Sequence, residues 1–399
     1  MRRDVFILGG CGHVGLPLGI VLAGAGLNVA LYDVDEERSA EVRAGRMPFI
    51  EYGAEPLLRD AIGRTLHVVD DLAELGEAEY VVVAIGTPVD EYLNPRYGPL
   101  FQLIEEVAPH LRSGQHVVLR STLFPGMTRE LHRHLSSLEL DVELSYCPER
   151  IAQGYAIEEL DRLPQIVSAY SEETVAHALR LFERITDRLL VVEVEEAELA
   201  KLFLNAWRYI QFAIANQFYM IAQEHGADFF RIHHAMTHDY DRAGDFPLPG
   251  FTAGPCLLKD TMQLSAFERN RFPLGHAAML VNEGLAGFVV SRLREQFDLP
   301  GTTVGILGMA FKANIDDTRD SLAFKLRKQL TFHGARVLAS DAFVSDPGFI
   351  PAAQLIAESD VVVIGAPHDA YRELEFPPGK PVVDVWGFLR ADRVEAPAR

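Results

Sequence analysis

Cysteine is scarce in this chain. Its 399 residues hold three, Cys11, Cys147 and Cys256, odd in number and far apart. They make neither a disulfide frame nor a zinc set, and they suit a reducing, cytoplasmic setting. Basic residues are also outnumbered: 37 Lys and Arg stand against 57 Asp and Glu, a formal net charge of −20. So acidic a chain is a poor partner for nucleic acid or an anionic membrane, though a local nest can still hold a small phosphate. Uninterrupted apolar runs fall short of the ~18 residues of a membrane span. The opening MRRDVFILGGCG has only Val5 to Leu8 before a glycine loop, so it reads as a first β-strand and not as a secretion signal. There is no short repeat and no low-complexity segment. What is present, 48% hydrophobic and 24% charged residues, is ordinary globular material for two or three domains.

The first part of the chain alternates strand and helix signals. DVFILGG, LNVALYD, YVVVAIGTP, HVVLRST and DVELSYCPE are short β-rich runs, and such alternation predicts a parallel sheet with helices on both faces. From about Glu195 to Gln296 the pattern turns helical. EEAELAKLFLNAWRYIQFAIANQFYMIAQEHG reads as one helix ended by Gly226, HAAMLVNEGLAGFVVSRLREQF as another, with a Gly/Pro-rich loop between them. Four more strands follow, TTVGILGMAFK, ARVLASD, DVVVIGAPH and PVVDVWG, with a helix from about Arg319 to His333. The expected fold is α/β: two Rossmann-like, doubly wound parallel-sheet domains, 1–194 and 299–399, joined by a central helical region, 195–298.

Gly10, Gly12 and Gly15 form G-x-G-x-x-G directly after the first strand, with His13 and Val14 inside the loop and Asp33 closing the second strand. The glycines permit a tight turn and close approach of a pyrophosphate to a helix N-terminus, while Asp33 would bond a ribose hydroxyl. Acidic Asp35 and Glu36 follow, which favours NAD over NADP; the bland alternative is a glycine turn that binds nothing. Cys256 follows Pro255, which fits the first position of a helix. Lys259 and Asp260 then fall on its face, so the segment reads either as a covalent-catalysis site or as a buried structural cysteine. Cys147 reads as structural. Lys201 and Asn205 lie one turn apart among apolar residues and need either a site or local partners. Trp207, Tyr209, Phe212 and Phe218 on the same helix read as core. Strand ends place Thr87, Thr122, Glu149, Arg150 and Lys312 where a doubly wound fold holds ligands. Asp316 and Asp317 read as the opening of a helix, and the acidic run Glu193 to Glu198 as solvated surface. No carboxylate or cysteine completes a metal set around His233, His234 and His238, so no metal is expected.

In order, GGCGHVGLPLG, IGTPVD, RSTLFPGMT, YCPERI, EEAELAKLFLNAWRYIQFAIANQ, GFTAGPCLLKD and GMAFKANIDDTRDS resemble the UDP-glucose/GDP-mannose dehydrogenase family, the nucleotide-sugar 6-dehydrogenases. The resemblance spans nearly the whole chain and raises Cys256 above its structural alternative. It implies an NAD-binding domain, a central dimerisation region, a UDP-sugar-binding domain and a four-electron oxidation of CH₂OH to carboxylate through a Cys256 thiohemiacetal and thioester. By motif, Lys201 and Asn205 would serve the reacting oxygen, and Asp260, Thr122 and Glu149 the hydrolytic water. Thr87 and Thr122 would contact NAD, and Lys259 and Arg319 the cofactor or the closing cleft. Arg150, Phe251, Gly254 and Lys312 would contact substrate, and Arg242 would reach the partner subunit's site. Arg150 in YCPERI and the TAGPC form of the nucleophile segment look more like members that oxidise UDP-N-acetylhexosamines than UDP-glucose. Ser321-Leu322 stands where Ser-Pro is usual. A homodimer with a UDP-sugar substrate follows. The rivals are a two-electron hydroxyacid dehydrogenase, which would not need Cys256, and a silent NAD-binding sensor.

Overall fold

Successive residues of a strand face opposite ways, and the first strand of this chain is apolar on both faces, as a sheet covered by helices on each side requires. In the computed structural model, which describes residues 3–91, 94–96, 98–138, 140–252 and 254–390, that strand is β1 (Arg3–Leu8). Val5 and Ile7 enter one core with Leu18, Leu31 and Phe182. Phe6 and Leu8 enter the other with Ile104, Leu131 and Tyr146.

β1 lies inside an eight-stranded sheet with β2 (Val29–Tyr32), β3 (Leu66–Val68), β4 (Ala78–Val83), β5 (His116–Leu119), β6 (Glu143–Tyr146), β7 (Gln165–Ala169) and β8 (Leu189–Val191). The order is β3-β2-β1-β4-β5-β6-β7-β8. The first six are parallel, and the order reverses direction between β1 and β4. β7 runs antiparallel to β6, and β8 parallel to β7, so the sheet is not parallel throughout as expected. β3, β7 and β8 were not among the expected strands; β3 and β8 have three residues each, too short to show alternation.

A second sheet is all parallel, with the four expected strands β9 (Thr303–Leu307), β10 (Arg336–Ser340), β11 (Val361–Ile364) and β12 (Val382–Val383) in the order β10-β9-β11-β12. The helix after β9 spans Leu322–Phe332 with Ser321 as its N-cap, not Arg319 to His333. Asp316 and Asp317 therefore lie in the preceding loop and do not open the helix. Contacts group the chain into two compact units, 1–204 with 266–269, and 205–265 with 270–399.

The expected long helix spans Val194–Glu224 and is followed by Gly226 at φ +66°. Two expectations for it need correction. Glu198 is not solvated: it is fully buried and caps another helix. Trp207 and Phe218 are not core residues, being 56% and 42% exposed, whereas Tyr209 is buried. The Pro273–Gln296 helix contains a window of mean hydropathy 1.2, long and apolar enough to cross a membrane by composition alone. Leu285, Ala286, Val289, Val290 and Leu293 of this helix are buried in the core beside β9 and β11, which accounts for its apolar character.

Candidate active site

The glycine loop sits at the carboxyl end of β1, beside the switch between β1 and β4. A Cβ on Gly15 would lie 2.3 Å from the Gly9 oxygen, and one on Gly10 would lie 2.8 Å from Leu31, so both positions are closed by the protein itself. Gly12 differs: its Cβ would meet only the Gly9 oxygen, at 3.4 Å. The fold exacts little there, which leaves room for the close approach of a pyrophosphate. The helix that follows, Gly15–Gly24, starts at Val14 with no side-chain cap, as an anion-receiving N-terminus requires. Asp33 Oδ2 accepts the Cys11 N–H at 2.9 Å, tying the loop to the end of β2 where a ribose would lie. These residues fit NAD. The His13 ring itself packs on Phe49 at 3.9 Å between centroids and lies 3.4 Å from Gln153 Nε2. Cys11 and Cys147 are buried, and burial pushes each thiol up to about 11.

Thr87, Thr122, Glu149 and Arg150 follow β4, β5 and β6 at the same end of the sheet. Ser121 Oγ donates to the Ile85 carbonyl at 2.7 Å and joins two of these segments. Glu149 is buried and fully engaged. One oxygen accepts the Arg150 and Ile151 N–H groups at 2.7 and 3.1 Å; the other pairs with Arg120. Arg120 is buried too, donates to Gln165 Oε1 at 2.7 Å and lies over the Phe182 ring. Burial lowers its pKa to about 10, which leaves it charged. Both oxygens of Glu149 thus shape the turn. Arg150 is likewise tied to the Pro164 carbonyl. Arg120 and Gln165 were missed by sequence reasoning, although an arginine inside the apolar run HVVLR demands a buried partner.

Lys201 and Asn205 are one turn apart on the long helix, as expected. Asn205 Nδ2 donates to Asp260 Oδ2 at 2.6 Å, and Lys259 Nζ lies 2.8 Å from Asp260 Oδ1. Asp260 is fully buried, so these two partners carry its charge. Asp260 belongs to the Leu257–Phe267 helix, which begins two residues later than the expected Pro255. Cys256 therefore precedes that helix, and its carbonyl accepts the Asp260 N–H at 2.8 Å. Unlike the other cysteines it is exposed. Arg319 is near enough to interact with its charge; the guanidinium grips Asp317 through Nε and an η nitrogen, and that bond chiefly raises its pKa. Asp317 was not singled out for this task.

The Cys256 loop is shaped by neighbours that forbid side chains. Gly254 has φ +106° and a Cβ there would lie 2.7 Å from the Phe311 ring; a Cβ on Gly250 would enter the Trp386 ring at 2.1 Å. Ala253 of TAGPC lies outside the described residues. Phe251 is buried in the core, so its ring anchors the loop. Lys312 follows Phe311 in a turn held by Asn314, whose N–H donates to His368 Nδ1 at 2.8 Å. Arg242 is exposed and stacks on Tyr240. His234 and His238 stand 4.7 Å apart between ring centroids, His238 as the residue that ends its helix.

Comparison with known proteins agrees with this arrangement. Residues 4–186 match the NAD binding domain of the UDP-glucose/GDP-mannose dehydrogenase family, 195–284 its central domain and 305–391 its UDP binding domain. The chain is similar to a UDP-N-acetyl-D-mannosamine dehydrogenase of Methanocaldococcus jannaschii, 28% identical over 92% of this chain and 86% of that one. It is similar to a UDP-glucose 6-dehydrogenase of Bacillus subtilis at 27% identity, over 83% and 78% of the two chains. A solved UDP-glucose dehydrogenase of Pyrobaculum islandicum superposes with a TM-score of 0.90 at 25% identity, covering 98% of this chain and 96% of that one. The glycine cradle, the engaged carboxylates and three consecutive domain matches lead to one assignment: this chain belongs to the UDP-glucose/GDP-mannose dehydrogenase family, NAD-dependent enzymes that oxidise nucleotide sugars.

Proposed function

We propose that this protein oxidises the C6 hydroxymethyl group of a UDP-N-acetylhexosamine, ahead of UDP-glucose, to the carboxylate, and so supplies uronate donors for a polysaccharide or glycoconjugate in the cytoplasm. One observation carries the reading. An exposed thiol, Cys256, precedes a helix and faces Arg319, and the first turn of that helix holds a buried Asp260 gripped by Asn205 and Lys259. A two-electron alcohol oxidation has no use for that thiol.

Bound NAD, held by Gly10, Gly12, Val14, Gly15, Asp33, Thr87 and Thr122, supplies the hydride acceptor for two oxidations per sugar. Lys201 takes the hydroxyl proton, and Asn205 donates to the same oxygen. Arg319 offsets the charge of the Cys256 thiolate, which adds to the C6 carbonyl and forms a thiohemiacetal. Lys201 and Asn205 receive the oxyanion. At the thioester stage a water oriented by Thr122 attacks the acyl carbon, Asp260 takes its proton, and Cys256 leaves as thiolate. Glu149 positions the 149–151 turn, Lys312 holds the UDP-sugar, and Lys259 holds Asp260 in place. We divide the chain functionally into a cofactor part (1–194), a helical dimerisation part with Cys256 (195–298) and a UDP-sugar part (299–399).

The test is NADH formed per nucleotide sugar consumed, with UDP-N-acetylmannosamine, UDP-N-acetylglucosamine, UDP-glucose and GDP-mannose offered separately. Two NADH per sugar, highest kcat/KM with an N-acetylhexosamine, and loss of acid product in Cys256→Ala are expected. One NADH per sugar would make Cys256 structural and overturn the mechanism.

A further inference from the structure

At the amino ends of β5 and β6, the edge of the sheet opposite the glycine loop, lies a polar cluster that nucleotide-sugar oxidation does not use. His116 and Glu143 are register partners at the first positions of their strands, and Tyr80 is the partner of His116 on the other side. His177 comes down on them from the Glu172–Phe182 helix. The ligating atoms of His116, Glu143 and His177 all lie within 4.8 Å of one another.

The outer contacts of the two rings are informative. His177 Nε2 is 3.1 Å from Glu79 Oε1, and His116 Nε2 is 2.8 Å from Ser145 Oγ. Each ring is thus held through Nε2, and each turns Nδ1 toward the same atom, Glu143 Oε2. His177 Nδ1 hydrogen-bonds it. His116 Nδ1 is 3.1 Å away at an angle that makes no hydrogen bond, so a fully buried ring nitrogen points into the cluster without a partner in it. Two imidazoles fixed through their far nitrogens by a carboxylate and a hydroxyl, and converging on one carboxylate, are the arrangement in which histidine binds metals. We propose that His116 Nδ1, His177 Nδ1 and the Glu143 carboxylate form a site for one divalent cation of the zinc class. Glu79 and Ser145 are the outer residues that orient the rings, and a water fills the fourth position.

The electrostatics agree. Burial holds the His116 ring down at about 3, so it is neutral at physiological pH as a ligand must be. Glu79 and Glu143 bring two negative charges against the one positive charge of Arg180, so the cluster is net negative and attracts a cation. Glu79 is 40% exposed at its side chain and gives the ion a way in. The cluster combines residues 79, 116, 143 and 177, whose spacing no linear metal motif has.

The test uses metal-free full-length protein carrying Cys256→Ser, His234→Ala and His238→Ala, which removes the exposed thiol and the exposed histidine pair as competitors. Titration with Co²⁺ should give the visible absorption of a four- or five-coordinate ion, without a thiolate charge-transfer band, saturating at one equivalent. Glu143→Gln and His177→Asn should abolish the band, and Glu79→Gln, which leaves all three ligands, should weaken binding by about 10- to 100-fold. Zinc should raise the melting temperature of the parent but not that of Glu143→Gln. Anomalous scattering at the zinc edge from crystals of the unsubstituted protein, soaked in zinc, needs no variant and should peak at Glu143. Absence of the cobalt band, an anomalous map with no peak there, or equal binding by Glu143→Gln would each show a hydrogen-bonded network only and overturn the proposal.

Discussion

Arg120 keeps a full charge where there is no water, and Glu149 is the group that makes this tolerable. Removing one member of such a buried pair is worse than removing both, because the survivor loses its solvent and its partner together. Glu149→Ala should therefore destabilise the protein by about 3–5 kcal/mol. The double variant Glu149→Ala with Arg120→Met should be less destabilised than the single one; urea denaturation of the set measures the difference. The cofactor loop gives a second case. Asp33→Ala removes the acceptor of the Cys11 N–H and, on the proposed reading, the ribose acceptor, and loss of a charged hydrogen bond of about 1.5–3 kcal/mol corresponds to a 10- to 150-fold weaker NAD Kd. Isothermal titration checks this apart from the Cys256 chemistry. At this scale the sequence revealed residue types well and partners poorly. The glycine turn after β1 and the one-turn spacing of Lys201 and Asn205 were legible because turn geometry and helix spacing are local. That Asn205 bonds Asp260 across 55 positions, or that Asp317 grips Arg319 before a helix that starts only at Leu322, depends on folding.

The ends of the elements hold the next layer of stability. Glu198 leaves the long helix to cap the Met127–Ser137 helix: its oxygens accept the Gly126 N–H at 2.6 Å and the Thr128 N–H and hydroxyl at 2.9 and 2.7 Å. Glu198→Ala would leave buried donors without acceptors at about 1–3 kcal/mol each, partly relieved by water, so a loss of about 2–4 kcal/mol in thermal or urea unfolding is expected. An acidic run reads as solvated surface from sequence because like charges seldom go inside; this one member does so because a helix N-terminus waits for it. In the second sheet Asp341, after β10, accepts the Met309 and Ala310 N–H groups at 2.6 and 2.9 Å and the His368 ring at 3.1 Å. Burial alone would raise its pKa, but the hydrogen bond from the His368 ring and those from the amides outweigh it and bring the value from 3.8 to about 2. A depressed carboxylate stabilises the fold above its unfolded pKa, and that contribution fades as pH falls from about 4 to 2, by about 2 kcal/mol in all. Asp341→Asn should flatten the pH dependence of unfolding in that window and lower stability at pH 7. Element types followed from alternation and helical period. The reversal of β7 and the three-residue strands did not, because strand direction is set by how far a connection must travel.

At the scale of the whole molecule, the long helix keeps an apolar face that the described residues leave exposed. Phe203, Trp207, Ile214, Phe218 and Ile221 recur at helical spacing and are exposed, as are Leu274 and Leu280 on the Pro273–Gln296 helix. Sequence periodicity marks such a face as one to be buried and is silent on which molecule buries it, which is why Trp207 and Phe218 looked like core. A second copy of the chain is the partner we propose, since a self-complementary face closes as a twofold dimer. Sedimentation should then give a dimer, and Trp207→Glu with Phe218→Glu a folded monomer. Such a dimer would also make the expected role of Arg242 testable. If Arg242 serves the partner's site, inactive Cys256→Ala and Arg242→Ala chains complement each other after mixing and subunit exchange. Random pairing makes about half the dimers mixed, and each mixed dimer has one of its two sites intact, so about one quarter of the activity should return. If Arg242 serves its own subunit, the intact Cys256 always sits with a missing Arg242 and no activity returns, so the assay separates the two arrangements without knowing which sugar is preferred.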